Sequence, residues 1–238
     1  MKINVIFTPN SVDELYFNDK ATVVIDVLRS TTVMIEALSN GAKEIIPVAS
    51  IDFAIKISGN SSERMTLLGG ERNTRIIDGF NLGNSPFEYS PKNVQGKSIV
   101  LFTTNGSKAI VKSKYSSRLI VGAFTNISAV VESLANENQI DILCSGSSGK
   151  FSLEDAVCAG NIVKLLCDKY ENNDLNDAAQ AASVLYQKYE NSIYEMLKIS
   201  EHGKVLISNG FDDDLEFAAR INSSKLVPHL INGSIKII

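Results

Sequence analysis

An acid, a cation and three hydroxyls fall within one short stretch, Ile25-Asp26-Val27-Leu28-Arg29-Ser30-Thr31-Thr32, directly after a run of Val and Ile. A strand that ends in such a turn and enters a helix presents free N–H groups to an anion, while the Asp can meet a hard cation. Ser30 or Thr31 can cap the helix, and Asp26 with the hydroxyls would serve as caps in any case. Arg29 tips the reading towards an anion site.

Four further segments share this character. In Leu67-Leu68-Gly69-Gly70-Glu71-Arg72 two glycines allow close backbone approach before Glu71. Thr103-Thr104-Asn105-Gly106-Ser107-Lys108-Ala109 offers hydroxyls, an amide and backbone N–H groups, with Lys108 as a point charge. It lacks the G-x-x-x-x-G-K-[ST] spacing, so no nucleoside triphosphate is implied. Cys144-Ser145-Gly146-Ser147-Ser148-Gly149-Lys150-Phe151-Ser152-Leu153-Glu154-Asp155-Ala156 is an anion-friendly loop leading to two adjacent acids. Ser152 and Asp155 have capping-box spacing, and side chains of neighbouring helical residues diverge by about 100°, so one acid is expected to bind a cation and the other to cap or orient. Asp155 is marginally preferred as the ligand. Gly79-Phe80-Asn81-Leu82-Gly83-Asn84-Ser85-Pro86-Phe87-Glu88 reads as an ordered loop or a lid. The inventory is oxygen ligands for Mg²⁺ and N–H donors for phosphate. His202 and His229 lie outside any zinc-type spacing. His202 is read as a cap or packing residue before a general acid, and Asp212-Asp213-Asp214 as a helix N-terminus, where negative charge is favourable, before a contribution to a metal site.

The elements that must position these turns follow from periodicity. Strand-length runs occupy residues 3–7, 22–25, 44–48, 66–68, 98–102, 118–121 and 140–143. Between most of them, apolar residues recur at helical spacing, as in Ile51, Ala54, Ile55 and Ile57, or Ile127, Val130, Val131 and Leu134. Alternation of strand and helix predicts a three-layer α/β/α fold with a largely parallel or mixed sheet, because parallel neighbours need crossover connections. Residues 72–96, rich in Asn, Gly, Pro and Ser, form a long excursion, and loops of that length are often functional. After Phe151 the pattern turns helical, with an interhelix turn at Glu171-Asn172-Asn173-Asp174. Leu226-Val227 and residues 234–238 are candidate returning strands. One domain over residues 1–238 is expected, any division into subdomains falling near residue 150.

Composition bounds the rest. With 44% hydrophobic and 21% charged residues, the 238-residue chain can bury a core. A formal charge of -4 offers no broad basic field, so no nucleic-acid partner is expected. Cys144, Cys158 and Cys167 suggest neither a disulfide framework nor a thiolate zinc site. No apolar stretch nears the roughly 20 residues that span a bilayer, and the first residues lack a signal-peptide pattern, so a cytoplasmic protein without a membrane partner is expected.

Taken in order, these segments resemble the 2-phosphosulfolactate phosphatase family. The resemblance is carried by residues 25–32, Gly70-Glu71-Arg72, Gly79-Phe80-Asn81-Leu82-Gly83-Asn84-Ser85-Pro86, Thr103-Thr104-Asn105-Gly106, Gly149-Lys150-Phe151-Ser152-Leu153-Glu154-Asp155-Ala156-Val157-Cys158-Ala159-Gly160 and His202-Gly203. It implies a three-layer α/β fold and Mg²⁺-assisted hydrolysis of a phosphate monoester that carries a sulfonate and a carboxylate, in coenzyme M biosynthesis. Asn81 stands where an acid is expected, and Ser30 where Ala is common. With the resemblance, Asp26 and Arg29 are the expected catalytic residues, and Asp26, Glu71, Glu154 and Asp155 the expected metal ligands. Arg29, Ser30, Thr31, Asn84, Ser85, Asn105, Gly106, Ser107, Ser145 and Gly146 are expected to bind a small phosphorylated acid, in a homodimer. The attacking group is metal-activated water or Asp26 itself; a D-x-D phosphatase pattern fails at Leu28. The same groups would also serve a non-catalytic sensor of a small phosphorylated or sulfonated acid.

Overall fold

Five β-branched or small residues, Ala21–Ile25, are buried along their whole length and form a strand whose side chains divide between two cores. Val23 and Ile25 enter one hydrophobic cluster and Val24 the other, as the two-residue period of a strand requires. Burial on both faces is the signature of a sheet covered by helices on either side. The computed structural model describes residues 1–59 and 65–238. Its strands are β1 (Lys2–Ile6), β2 (Ala21–Ile25), β3 (Glu44–Val48), β4 (Thr66–Arg72), β5 (Arg75–Ile76), β6 (Ser98–Phe102), β7 (Arg118–Gly122), β8 (Gln139–Cys144), β9 (Asp174–Leu175), β10 (His229–Ile231) and β11 (Ser234–Lys236). Its α-helices are α1 (Ser30–Ser39), α2 (Ile51–Gly59), α3 (Pro91–Val94), α4 (Gly106–Lys112), α5 (Ile127–Ser133), α6 (Leu153–Lys169), α7 (Asp177–Tyr189), α8 (Ile193–Ile199), α9 (Glu201–Ser208) and α10 (Asp212–Ala218).

The strands form one mixed sheet in the order β5-β4-β6-β3-β11-β10-β7-β2-β8-β1-β9, the core of a three-layer α/β fold. Two parallel blocks, β4-β6-β3 and β7-β2-β8-β1, are joined by the antiparallel hairpin β10–β11, which pairs with β7 and with β3 through one residue pair each. Helices α5 and α6 bury Val130, Val157, Ile162 and Leu166 with Ile120, Ile140 and Ile142 on one face. Helices α1 and α4 bury Val33, Met34 and Ile110 with Ile45, Ile99 and Leu101 on the other.

All seven apolar runs are strands, and the chain after Phe151 is mostly helical, with the short strands β9, β10 and β11. One strand expectation is corrected: Leu226-Val227 are irregular, and the ladder begins at His229. Pro228 has no N–H to donate and restricts the residue before it, so pairing starts beyond it; its carbonyl accepts from Val121 N at 3.0 Å. The turn after α6 gives Asp174 to the short strand β9 before α7 begins. The excursion after β4 docks along that strand: Asn81 Oδ1 accepts from Leu68 N at 2.8 Å and Gly70 N donates to Leu82 O at 3.0 Å. Asn81 is thus a backbone acceptor that holds the loop. Cys144 and Cys158 are buried free thiols, and no helix among the described residues is long and apolar enough to cross a membrane.

Candidate active site

The turns after β2, β4, β6 and β8 converge. At the end of β2, Asp26 Oδ1 accepts from Ser30 N at 3.3 Å, so the acid caps the first turn of α1. The expectation of a Ser30 or Thr31 cap is corrected: Arg29 occupies the N-cap position without a side-chain capping bond, and Ser30 is the first helical residue. Thr31 Oγ1 accepts from Asp26 N at 3.0 Å and donates to Asp26 O at 2.8 Å, clamping the turn.

The turn after β6 closes on the same carboxylate. Gly106 begins α4, and a methyl group there would collide with Asp26 Oδ2 and lie 2.6 Å from Ser30 Oγ. Ser107 and Thr103 bond reciprocally, Thr103 N to Ser107 Oγ at 2.9 Å and Ser107 N to Thr103 Oγ1 at 3.0 Å. Asn105 Oδ1 accepts from Ser148 N at 3.0 Å, tying this turn to the loop after β8. Substituting Ala for Gly106 should therefore displace Asp26 and lower kcat by about 10- to 100-fold, since misplacement by an ångström costs on that order. Steady-state phosphate release by that variant, beside its melting curve, measures the effect.

Glu71, the penultimate residue of β4, is fixed from two sides, with Oε1 accepting from Thr104 N and Oε2 from Thr74 N, both at 2.9 Å. Gly70 makes this possible. Its φ of +137° suits glycine, and its Cα lies against Phe102 O where a Cβ has no room.

The adjacent acids of α6 separate as helical geometry demands. Ser152 caps the helix through Asp155 N at 3.3 Å, but the return bond of a capping box is absent. The Asp155 carboxylate instead accepts from Val27 N at 2.9 Å, Ser145 Oγ at 3.0 Å and Gly146 N at 3.1 Å, binding the ends of β2 and β8 to α6. Three donors thus meet this carboxylate from within the protein. Glu154 is buried beside the hydroxyls of Ser152 and Ser200, in the wall of a cleft of about 430 Å³ that His202 and Lys150 also line.

Four acids are thus buried at one place. Burial, then the charges of Glu71 and Glu154, push Asp26 up to about 7 against the pull of Ser30 N–H and Ser145. Burial raises Asp155 well above the carboxylate range, with Asp26 and Glu154 adding to it, and burial likewise raises Glu154. The cluster needs protons or a cation to offset its mutual repulsion. His202 is held below its usual value by burial and by Arg29, opposed by Glu71.

Arg29 enters a different network. Its Nη1 lies 2.6 Å from Asp214 Oδ2, its Nη2 donates to Thr74 O at 3.1 Å, and its guanidinium stands 4.4 Å from the Phe211 ring centroid. Ser85 Oγ donates to the other Asp214 oxygen at 2.6 Å. Asn84, the residue before Ser85, is buried, and its Oδ1 has no hydrogen-bond partner among the described residues. Asp214 lies in the first turn of α10, where the three acids were expected to favour the helix dipole. Its pairing with Arg29 was not legible from that position, although three acids exceed what one helix start requires.

This chain matches the family model described as 2-phosphosulpholactate phosphatase over residues 6–233. The chain belongs to that family. Members of the 2-phosphosulfolactate phosphatase family are phosphoric monoester hydrolases, and this chain is one. It is 44% identical over 231 residues to a probable 2-phosphosulfolactate phosphatase of Thermotoga maritima, covering 97% of this chain and 96% of the relative. A protein of the same name from Caldanaerobacter subterraneus is 40% identical over 233 residues, 96% and 95% of the two chains. One from Clostridium perfringens is 39% identical over 239 residues, covering 99% and 96%. The sequence nominates Asp26, Glu71, Glu154 and Asp155, which the fold brings together, but gives no sign that Thr104 N–H would hold Glu71 or that Asp214 would pair with Arg29, because both contacts join segments far apart in the chain.

Proposed function

We propose that this protein hydrolyses 2-phospho-3-sulfolactate to 3-sulfolactate and phosphate with the help of Mg²⁺. The observation that carries the reading is the meeting of Asp26 and Glu71 at the turn from β6 into α4, where Thr104 N–H holds Glu71 and Gly106 lies against Asp26, with Asp26 raised to about 7 by burial and by neighbouring acids. Near full-length similarity to proteins named for that activity supports the substrate.

The donor set fits the ion. Mg²⁺ takes oxygen ligands, keeps several waters and is usually held by one or two carboxylates together with substrate phosphate. Among the described residues no group of three or more His, Cys, Asp and Glu side chains is arranged as a metal cage, whereas Asp26 and Glu71 supply the two acids that Mg²⁺ asks for. These two would hold it, with Glu154 close by. When bound, the ion would neutralise charge on the phosphoryl oxygens.

The chain's own groups supply position. Ser30 N–H fixes one oxygen of Asp26, and Thr74 and Thr104 N–H groups fix both oxygens of Glu71, so neither acid must reorganise as charge develops. Asp155 holds the ends of β2 and β8 in register with α6. Such pre-set geometry is what hydrolysis of a phosphate monoester, among the slowest uncatalysed reactions, demands.

The test is phosphate release from 2-phospho-3-sulfolactate with Mg²⁺ and after exhaustive chelation. Turnover should fall at least about 100-fold on chelation and return with Mg²⁺, in keeping with the several kcal/mol an ion supplies. Release that persists at full rate with the ion removed sinks the metal assignment. No release under any condition sinks the substrate assignment.

A further inference from the structure

The buried cation of the site is already committed, since Arg29 pairs with Asp214 at 2.6 Å. A phosphate monoester bearing another oxyanion needs a further source of positive charge, and the site wall offers one. A cleft of about 630 Å³ opens beside the carboxylate cluster, lined among others by Asp52, Arg72, Phe102, Thr104 and Lys108. Its position is fixed by two residues of the site. Thr104 N–H holds Glu71 Oε1, and Arg72 is the next residue after Glu71. Thr104 and Lys108 also line a second cleft, of about 410 Å³, which reaches Asn105 and Ser145.

Among the described residues, neither Lys108 nor Arg72 forms an ion pair with a carboxylate. The Lys108 ammonium stands 5.6 Å from the Phe102 ring centroid, and Lys112 in the second cleft is occupied by Pro9 O at 2.5 Å. Asp52 shares the wall with the two cations, which leaves this lining with one net positive charge. A charge of one sign on the wall of a cleft concentrates ligands of the other sign.

We infer that Lys108 and Arg72 bind the oxyanion of the substrate that is not transferred, a sulfonate or a carboxylate, and so determine which phosphate esters the enzyme prefers. The inference rests on the phosphatase reading above and adds the residues that select within it. Because both side chains are exposed, each contact is modest: surface ion pairs contribute up to about 1 kcal/mol, or roughly fivefold.

The experiment compares kcat/KM for three esters: 2-phospho-3-sulfolactate, 2-phospholactate, which lacks the sulfonate, and 2-sulfoethyl phosphate, which lacks the carboxylate. Wild type, Lys108→Ala, Arg72→Ala, the double variant and Lys108→Arg are measured at low and high salt. Each Ala variant should lower the preference for the doubly substituted ester about threefold to fivefold, and the double variant about tenfold or more. Lys108→Arg should keep it, and high salt should shrink the wild-type preference. If the preference over 2-phospholactate falls, the bound group is the sulfonate; if that over 2-sulfoethyl phosphate falls, it is the carboxylate. Preferences that stay within twofold of an active wild type in every variant overturn this inference alone. A wild type that releases phosphate from none of the three overturns the phosphatase reading and this inference with it.

Discussion

Replacing Asp26 by Asn should lower kcat by at least about 10³-fold while making the metal-free protein more stable above neutral pH. The two effects have one cause. Asp26 is 5% exposed, and it meets the negative charge of Glu71 and Glu154, so its proton is held until about pH 7. An acid whose folded value lies above its unfolded value of about 3.9 stabilises the fold fully below that value and loses this contribution as pH rises through about 7. Asn keeps an oxygen for Ser30 N–H and never acquires the charge. The melting temperature of Asp26→Asn should therefore exceed that of the parent by on the order of 5 °C at pH 8 and by much less at pH 4. Phosphate release and melting curves at the two pH values check both halves. Unchanged turnover would remove Asp26 from the chemistry as ligand and as nucleophile, and a melting difference independent of pH would show that its burial carries no charge penalty.

Much of this site is legible in the sequence because the residues of each turn sit next to one another in the chain. Asp26 follows β2, Glu71 is the penultimate residue of β4, Asn105 and Gly106 open α4, and Glu154 and Asp155 lie in the first turn of α6, so strand ends and helix starts nominate them. Short runs of Val, Ile and Leu likewise mark β2, β7 and β8, each buried on two faces. The limits are equally specific. Strands β5 and β9 have two residues each, too few to show a period. Thr31, Ser107 and Gly146 looked like ligand donors, yet Thr31 Oγ1 closes on Asp26, Ser107 pairs with Thr103, and Gly146 N serves Asp155. A hydroxyl or amide in a turn has the same signature whether it faces a ligand or its own backbone. Nor does spacing show that Asp155 rather than Glu154 meets Val27 and Ser145, since that contact joins α6 to the ends of β2 and β8.

Asp214→Ala should be the most destabilising single change at the site, by about 3–5 kcal/mol, because it strands a buried guanidinium. Arg29 and Asp214 side chains are both 2% exposed, and the pair ties the turn after β2 to α10, while Ser85 ties the excursion to the same acid. In a chain of this size the loss corresponds to a fall of roughly 6–20 °C in melting temperature. The structural and chemical roles of Arg29 can then be separated. Removing both charges together, as Arg29→Met with Asp214→Leu, should recover much of the stability lost in Asp214→Ala, since well-packed apolar pairs often equal or exceed a buried ion pair. If Arg29 also contacts the transferred phosphate, the recovered protein should remain at least about 100-fold slower than the parent. A refolded double variant with parental turnover would show that Arg29 acts only as a strut between β2 and α10, and would leave positive charge at the substrate to Mg²⁺ and to the Lys108 side of the cleft.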